Sequence, residues 1–128
     1  MGKILLVGAG GFLGSVLRYL AGGLVYRWRG SSAFPIETLL INVLGCLGIG
    51  MIAALAETRG VFSGATRAFL MIGLLGGFTT FSAFGYETFE LMRDGQIGTA
   101  ALSVGAQVVL GISAVWLGHV AIRFVWGS

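Results

Sequence analysis

Three stretches of this sequence contain no Asp, Glu, Lys or Arg: Thr38 to Ala56, Ala68 to Tyr86 and Gly95 to Ile122. Each is near or beyond the ~20 residues that a helix needs to cross a bilayer. A fourth stretch, Ile4 to about Val25, is interrupted only by Arg18. The sequence therefore predicts an all-α membrane protein with four transmembrane helices. The connections Tyr26 to Ser32, Glu57 to Arg67 and Arg93 to Gln96 are too small to fold alone, so residues 1–128 are expected to form a single four-helix transmembrane domain. Any function must then lie within the membrane.

Composition agrees, with 56% hydrophobic and 10% charged residues against roughly 25% charged in a soluble domain. In a soluble protein the net charge of +3 would suggest nucleic acid. Here the basic residues are scattered and mostly flank the spans, as membrane-edge anchors do, so no nucleic-acid partner is expected. Cys46, the only cysteine, cannot form an intrachain disulfide and reads as a small packing residue. Lys3 before an apolar run resembles the start of a signal peptide. The run continues past Arg18, however, and three more spans follow, which predicts a retained first helix.

The opening KILLVGAGGFLGSVLRYL imitates the strand, glycine loop and helix of a dinucleotide-binding unit through Gly8, Gly10 and Gly14. That unit needs an acidic residue roughly 20 positions on to hold the ribose. The first carboxylate is Glu37, beyond a basic loop and Pro35, and no soluble α/β alternation follows. The membrane reading uses the same residues better. Gly10, Gly14, Arg18 and Gly22 recur every four positions, so they share one helix face, and small residues at that spacing admit a second helix closely. Arg18 is then expected to face protein or trapped water, and intramembrane charge marks a candidate functional site. The bland alternative is that Arg18 snorkels to the nearer interface.

With four spans, Lys3, Arg59, Arg67 and Arg123 lie on one side of the membrane and Arg27, Arg29 and Arg93 on the other. That leaves almost no bias for the positive-inside rule, and the chain is expected to insert both ways. Two copies of opposite orientation can then pair about an axis in the membrane plane, an arrangement that many transport proteins build from two inverted halves.

Polar residues inside the spans follow a pattern. Thr38 and Asn42 share a face of the second span, and Ser103 and Gln107 repeat the four-residue spacing in the fourth. The third adds Thr79, Thr80, Ser82 and, further on, Glu87. Together they are able to line a narrow wet track of hydrogen-bonding groups, although inter-helix glue is the common role of a buried Asn. The segment GGFTTFSAF, Gly76 to Phe84, is a poor helix sequence within this apolar run. It predicts a third helix broken near its middle, at Gly76-Gly77 followed by Thr79-Thr80. Unwound backbone at membrane depth is tolerated where it lines a cavity or is buried in protein, and its free carbonyls can bind a cation. Phe81 and Phe84 follow three apart, and ring edges carry the positive end of the aromatic quadrupole, which suits an anion.

GGFTTFSAF strongly resembles the signature segment of the Fluc (CrcB) family of small bacterial fluoride channels. GGFLGSVLR resembles the first-helix glycine and arginine pattern of that family, and TLLINVLG its second-helix asparagine segment. The resemblance covers the chain in length, four-span layout and motif order. It implies an antiparallel, dual-topology homodimer in the bacterial inner membrane, with two fluoride pathways and a structural, non-transported central sodium ion, exporting fluoride passively from the cytoplasm. By position it implies that Asn42, Phe81 and Phe84 contact fluoride and that Thr38, Thr80, Ser82 and Glu87 lie along or near the track. The main-chain carbonyls of Gly76 and Thr79 would hold sodium, and Arg18 matches the first-helix arginine. In the fourth helix Gln107 and Gly111 fall where smaller hydroxyl residues are expected. Fluoride is compact and strongly hydrated, so a filter must replace its water with donors such as an Asn amide or Ser and Thr hydroxyls.

Two other function classes compete. A small multidrug antiporter also has four helices, but exchanging protons for a cationic drug calls for a membrane-embedded carboxylate. The first three spans to Phe78 have none, and Glu87 falls near a span end. A non-transporting subunit would explain the glycines but not the break. An enzyme is not expected, because His119 has no nucleophile or metal-ligand partner in the sequence and reads as an interfacial residue.

Overall fold

The computed structural model describes residues 1–30 and 32–126, without the Arg59 side chain, so the Arg59 charge counted above lies outside the described side chains. Four helical spans are present, each long and apolar enough to cross a membrane. Helix α1 covers Gly2–Arg29 and α2 covers Ile36–Arg59. The third span is divided into α3 (residues 64–78) and α4 (Phe81–Arg93), and α5 covers Ile97–Trp126. Most helix ends run two to seven residues past the uncharged windows and carry charged residues, so the connections are shorter than the sequence suggests.

Local chemistry sets these ends. Glu37 stands in the first turn of α2, where a carboxylate opposes the positive end of the helix dipole. Gly60 ends α2 in the left-handed conformation (φ 58°) that a side chain disfavours. Ser63 opens α3 by accepting from the Thr66 amide at 3.1 Å. Lys3 Nζ comes within 3.8 Å of the place a Gly64 side chain would occupy, so the N-terminus and the α2–α3 loop share an end, as four spans require.

Small residues set the packing. A Cβ on Gly14 would collide with the Leu74 carbonyl and stand 2.8 Å from the Phe78 amide, so α1 meets α3 backbone to backbone. This is the close approach predicted from the α1 stripe, in which Gly10 and Gly14 are buried. Helices α2 and α5 meet in the same way: a Cβ on Gly118 would collide with the Leu47 carbonyl, and one on Gly50 with that of Val115. Much of the remaining apolar surface points outward, including Phe12, Leu20, Ile72, Val109 and Trp116, as a lipid-facing surface does.

Of two features of the third span, the first was not expected and the second narrows what was. Residues Ala68–Leu75 form a π-helix, a wider winding that often accompanies functional sites and that no sequence pattern announced. The break falls at the Thr79-Thr80 part of the expected segment and leaves the glycine pair helical. Gly76–Phe78 stays helical, and the chain leaves the helix at Thr79 (φ −81°, ψ 157°) and Thr80 (φ −148°, ψ 112°). Glycine weakens a helix without breaking it, and what opens this one is a partner on α2.

Candidate functional site

That partner is Asn42. Its Oδ1 accepts from the Thr80 amide at 2.8 Å, and its Nδ2 donates to the Thr80 carbonyl at 3.1 Å. In an unbroken helix the Thr80 amide would close on the Gly76 carbonyl four residues back. With that amide turned to Asn42, the Gly76 carbonyl loses its helical donor. A second diversion follows at once. The Ala83 amide, which would close on the Thr79 carbonyl, donates instead to Thr80 Oγ1 at 3.1 Å and so caps α4. The Gly76 and Thr79 carbonyls, expected from the sequence to hold sodium, are thus among the run of carbonyls from Gly76 to Thr79 that the break leaves without helical amides. Thr79 Oγ1 turns back to the Leu75 carbonyl at 2.9 Å, so the Thr79 hydroxyl supports the end of α3 and does not face the track.

Asn42 also reaches α5. Nδ2 donates to Gln107 Oε1 at 3.1 Å, joining α2, the break and α5 in one hydrogen-bonded set. One turn earlier on α2, Thr38 Oγ1 donates to Glu87 Oε1 at 2.5 Å, joining α2 to α4. Spans two and four run in the same direction, and Asn42 meets Gln107 across them. Ser103 is 1% exposed and Thr38 5%; the Ser103 hydroxyl has no hydrogen-bond partner among the described residues. Two sets of hydrogen bonds thus cross the spans, Thr38–Glu87 and Thr80–Asn42–Gln107.

Asn42, Thr79, Thr80, Phe81, Phe84 and Gln107 line one cavity of about 330 Å³, with Gly45, Cys46 and Gly76 also on its wall. The Phe81 and Phe84 rings meet edge to face, with centroids 5.4 Å apart and planes at 66°. No carboxylate stands on this wall. A second cavity, of about 360 Å³, opens at the end near the α1–α2 loop and carries Glu37, Glu87, Glu90 and Asp94. The sizes are alike and the chemistry differs: amides, threonines and phenylalanine rings mid-span, carboxylates, Glu87 among them, at the mouth.

Other expected residues fall outside this set. Ser82 is exposed, with its hydroxyl 3.2 Å from Thr80 Oγ1. Arg18 is half-buried on the α1 glycine face, as its spacing predicted, but it has no hydrogen-bond or ion-pair partner among the described residues and lines neither cavity. His119 lies 3.7 Å from Glu57, at the far end of α2 from the track. Gly45 was missed by sequence reasoning, yet it stands three residues after Asn42 on the same face. A Cβ there would collide with the Thr79 methyl, so its bareness makes room for the break. Among the described residues, no group of three or more His, Cys, Asp or Glu is arranged to hold a metal ion. Any cation at the break would have to rely on neutral oxygens, as the Gly76 and Thr79 carbonyls are.

Four apolar spans, the third interrupted by a hydrogen-bonded break beside a cavity, define a small all-helical multi-pass membrane protein. The chain belongs to the CrcB-like family: residues 5–119 match the family described as CrcB-like protein, Camphor Resistance (CrcB). It is similar to the fluoride-specific ion channel FluC of Methylobacillus flagellatus, at 44% identity over 96% of each chain. It is also similar to the FluC of Opitutus terrae, at 47% identity over 94% of this chain and 92% of that one, and to FluC 3 of Methanosarcina barkeri, at 46% over 92% and 88%. The protein is thus a multi-pass bacterial membrane protein of a fluoride ion channel family, a non-enzymatic class.

Proposed function

We propose that this chain conducts fluoride passively across the membrane, out of the cytoplasm, as an antiparallel homodimer. The observation that carries the reading is the chemistry of the mid-span cavity. Its wall combines Asn42, Thr80 and Gln107 with the Phe81–Phe84 pair and includes no carboxylate. A small, hard anion needs donors to replace its water, whereas a cationic drug needs an opposing acid. Phenyl edges add positive potential without adding a proton.

The homodimer reading is supported by the near balance of Lys and Arg on the two sides and by the breadth of exposed apolar surface, which includes Phe81 at 83% exposure. Because Phe81 lines the same cavity as Asn42 and Gln107, a second copy laid against that face would enclose the cavity, which lipid would otherwise border. Sodium is a fitting ion for the break. The Gly76 and Thr79 carbonyls lose their helical amides, and neutral main-chain oxygens suit a singly charged hard cation, while calcium and magnesium usually recruit carboxylates. When bound, it would supply positive charge near the anion path.

The test is fluoride efflux from liposomes containing the purified protein, followed with a fluoride electrode and compared with chloride efflux. Fluoride efflux far above chloride, independent of an imposed proton gradient and strongly reduced by Phe81→Ile, is expected. Equal halide fluxes, or flux that follows the proton gradient, would favour a different transporter class.

A further inference from the structure

Thr38 Oγ1 donates to Glu87 Oε1, and this is the one side-chain hydrogen bond between α2 and α4 among the described residues. Glu87 Oε2 is buried and has no partner among them. The carboxyl group is therefore held by one oxygen and left without a donor at the other.

No base relieves it. Glu37 on α2, and Glu90 and Asp94 further along its own segment, line the mouth cavity together with Glu87. Helix α5, which packs against α4, belongs to a stretch with no charged residue from Gly95 to Ile122. Arg18, Arg27 and Arg29 of α1 line neither cavity. Arg93, the nearest cation along the chain, is engaged by Glu90 at 3.7 Å and by Asp94 at 3.1 Å. An anion entering by this mouth thus meets a carboxyl group whose charge nothing offsets.

We propose that Glu87 is a proton-operated latch on fluoride entry. With the carboxyl ionised, its charge repels the ion, and its bond to Thr38, charge-assisted and so about twice as strong as a neutral one, ties α2 to α4 one turn before Asn42. A proton on Oε2 removes the charge and weakens the bond, so both effects act in the same direction and fluoride passes faster. The proton comes from water at the mouth and returns to it. None crosses with fluoride, and a proton gradient drives nothing. The latch rests on reading the chain as a fluoride channel and adds a regulation to it.

The test is fluoride efflux from liposomes from mildly acidic to mildly alkaline pH, equal on both sides, with the leak of protein-free liposomes subtracted. Wild-type flux should fall by about fivefold as pH rises, the effect of one charge several ångströms from the ion in a medium between protein and water. Glu87→Gln keeps the shape and an acceptor for Thr38 but cannot titrate, so its profile should be flat. Glu37→Gln removes a like charge and should move the fall to lower pH, whereas Thr38→Val removes a donor to the ionised form and should move it to higher pH. Each variant is checked by size exclusion and melting, and should Glu87→Gln not fold, the opposed shifts of the other two decide. Infrared difference spectra against pH follow the protonated carboxyl stretch directly, and one titrating band should be missing in Glu87→Gln. A flat wild-type profile, wild-type pH dependence in Glu87→Gln, or shifts of the same sign in Glu37→Gln and Thr38→Val would overturn the latch and leave the channel standing. A Glu87 band that titrates in a chain passing no fluoride at any pH would sink the channel reading and the latch with it.

Discussion

Asn42 and Thr80 form a two-bond clamp between α2 and the third span, with the asparagine oxygen on the threonine amide at 2.8 Å and its nitrogen on the threonine carbonyl at 3.1 Å. A side chain has taken the place of a helical turn, satisfying one backbone donor and one backbone acceptor at membrane depth, where water is not at hand to do so. Asn42→Ala leaves both Thr80 groups without partners in a residue that is 9% exposed. The expected cost is about 1–3 kcal/mol for each group, read as a lower melting temperature in detergent together with loss of fluoride flux. Asn42→Asp keeps the acceptor and loses the donor, so it should be less destabilised than Ala and still poorly conducting. Wild-type stability in the Ala variant would contradict the clamp.

Gly45 faces the Thr79 methyl so closely that a Cβ has no room. Gly45→Ala is expected to push Thr79 away and shift the break, at about 1–3 kcal/mol for an overpacked site, with a clear fall in fluoride flux. The double variant Gly45→Ala, Thr79→Ser removes the clashing methyl and keeps the hydroxyl that donates to Leu75. Recovery of stability in the double variant is the check. Failure to recover would mean that the cost arises elsewhere.

Glycines along α1 should differ sharply in their tolerance of a side chain. Gly14→Ala would drive a methyl into the Leu74 carbonyl, whereas Gly23 has nothing within 4 Å of where its Cβ would stand. The first change should destabilise the fold by about 1–3 kcal/mol. The second should be neutral or slightly stabilising, because alanine is the better helix former. Melting curves of the two variants side by side decide this.

The near balance of basic residues makes a topological prediction. Two lysines added near Arg67 should hold the chain in one orientation, and that variant expressed alone should not conduct. Co-expression with a partner biased the opposite way, by two lysines near Arg93, should restore flux. Full flux from one biased variant alone would rule out antiparallel pairing.

Replacing sodium by a large organic cation on both sides of the membrane should lower both fluoride flux and dimer stability, if the Gly76 and Thr79 carbonyls hold the ion. The Thr38–Glu87 rung lies away from the break, so Thr38→Val should leave any sodium dependence unchanged. Flux and stability indifferent to sodium would leave those carbonyls without the proposed ion.

The span count, the shared faces of Thr38 with Asn42 and of Ser103 with Gln107, and the α1 glycine stripe all follow from spacing alone. A helix in lipid must satisfy its own backbone, so length and periodicity suffice to place it and to show which side chains sit together. The neighbourhood of the break was legible for the same reason, as weak helix formers collected in GGFTTFSAF. Which part of that segment opens was not. Local propensity marks both Gly76-Gly77 and Thr79-Thr80, and the chain opens at the threonines, where Asn42, 38 residues away, offers Thr80 one acceptor and one donor in place of the helical partners. The π-helical winding of Ala68–Leu75 was likewise hidden, since nothing in its uniformly apolar residues distinguishes one winding from another. The orientation of the Gln107 amide lies furthest from the sequence. It is fixed by Asn42, which is fixed in turn by the Thr80 backbone, and such a chain of donors and acceptors exists only once three spans have been brought together.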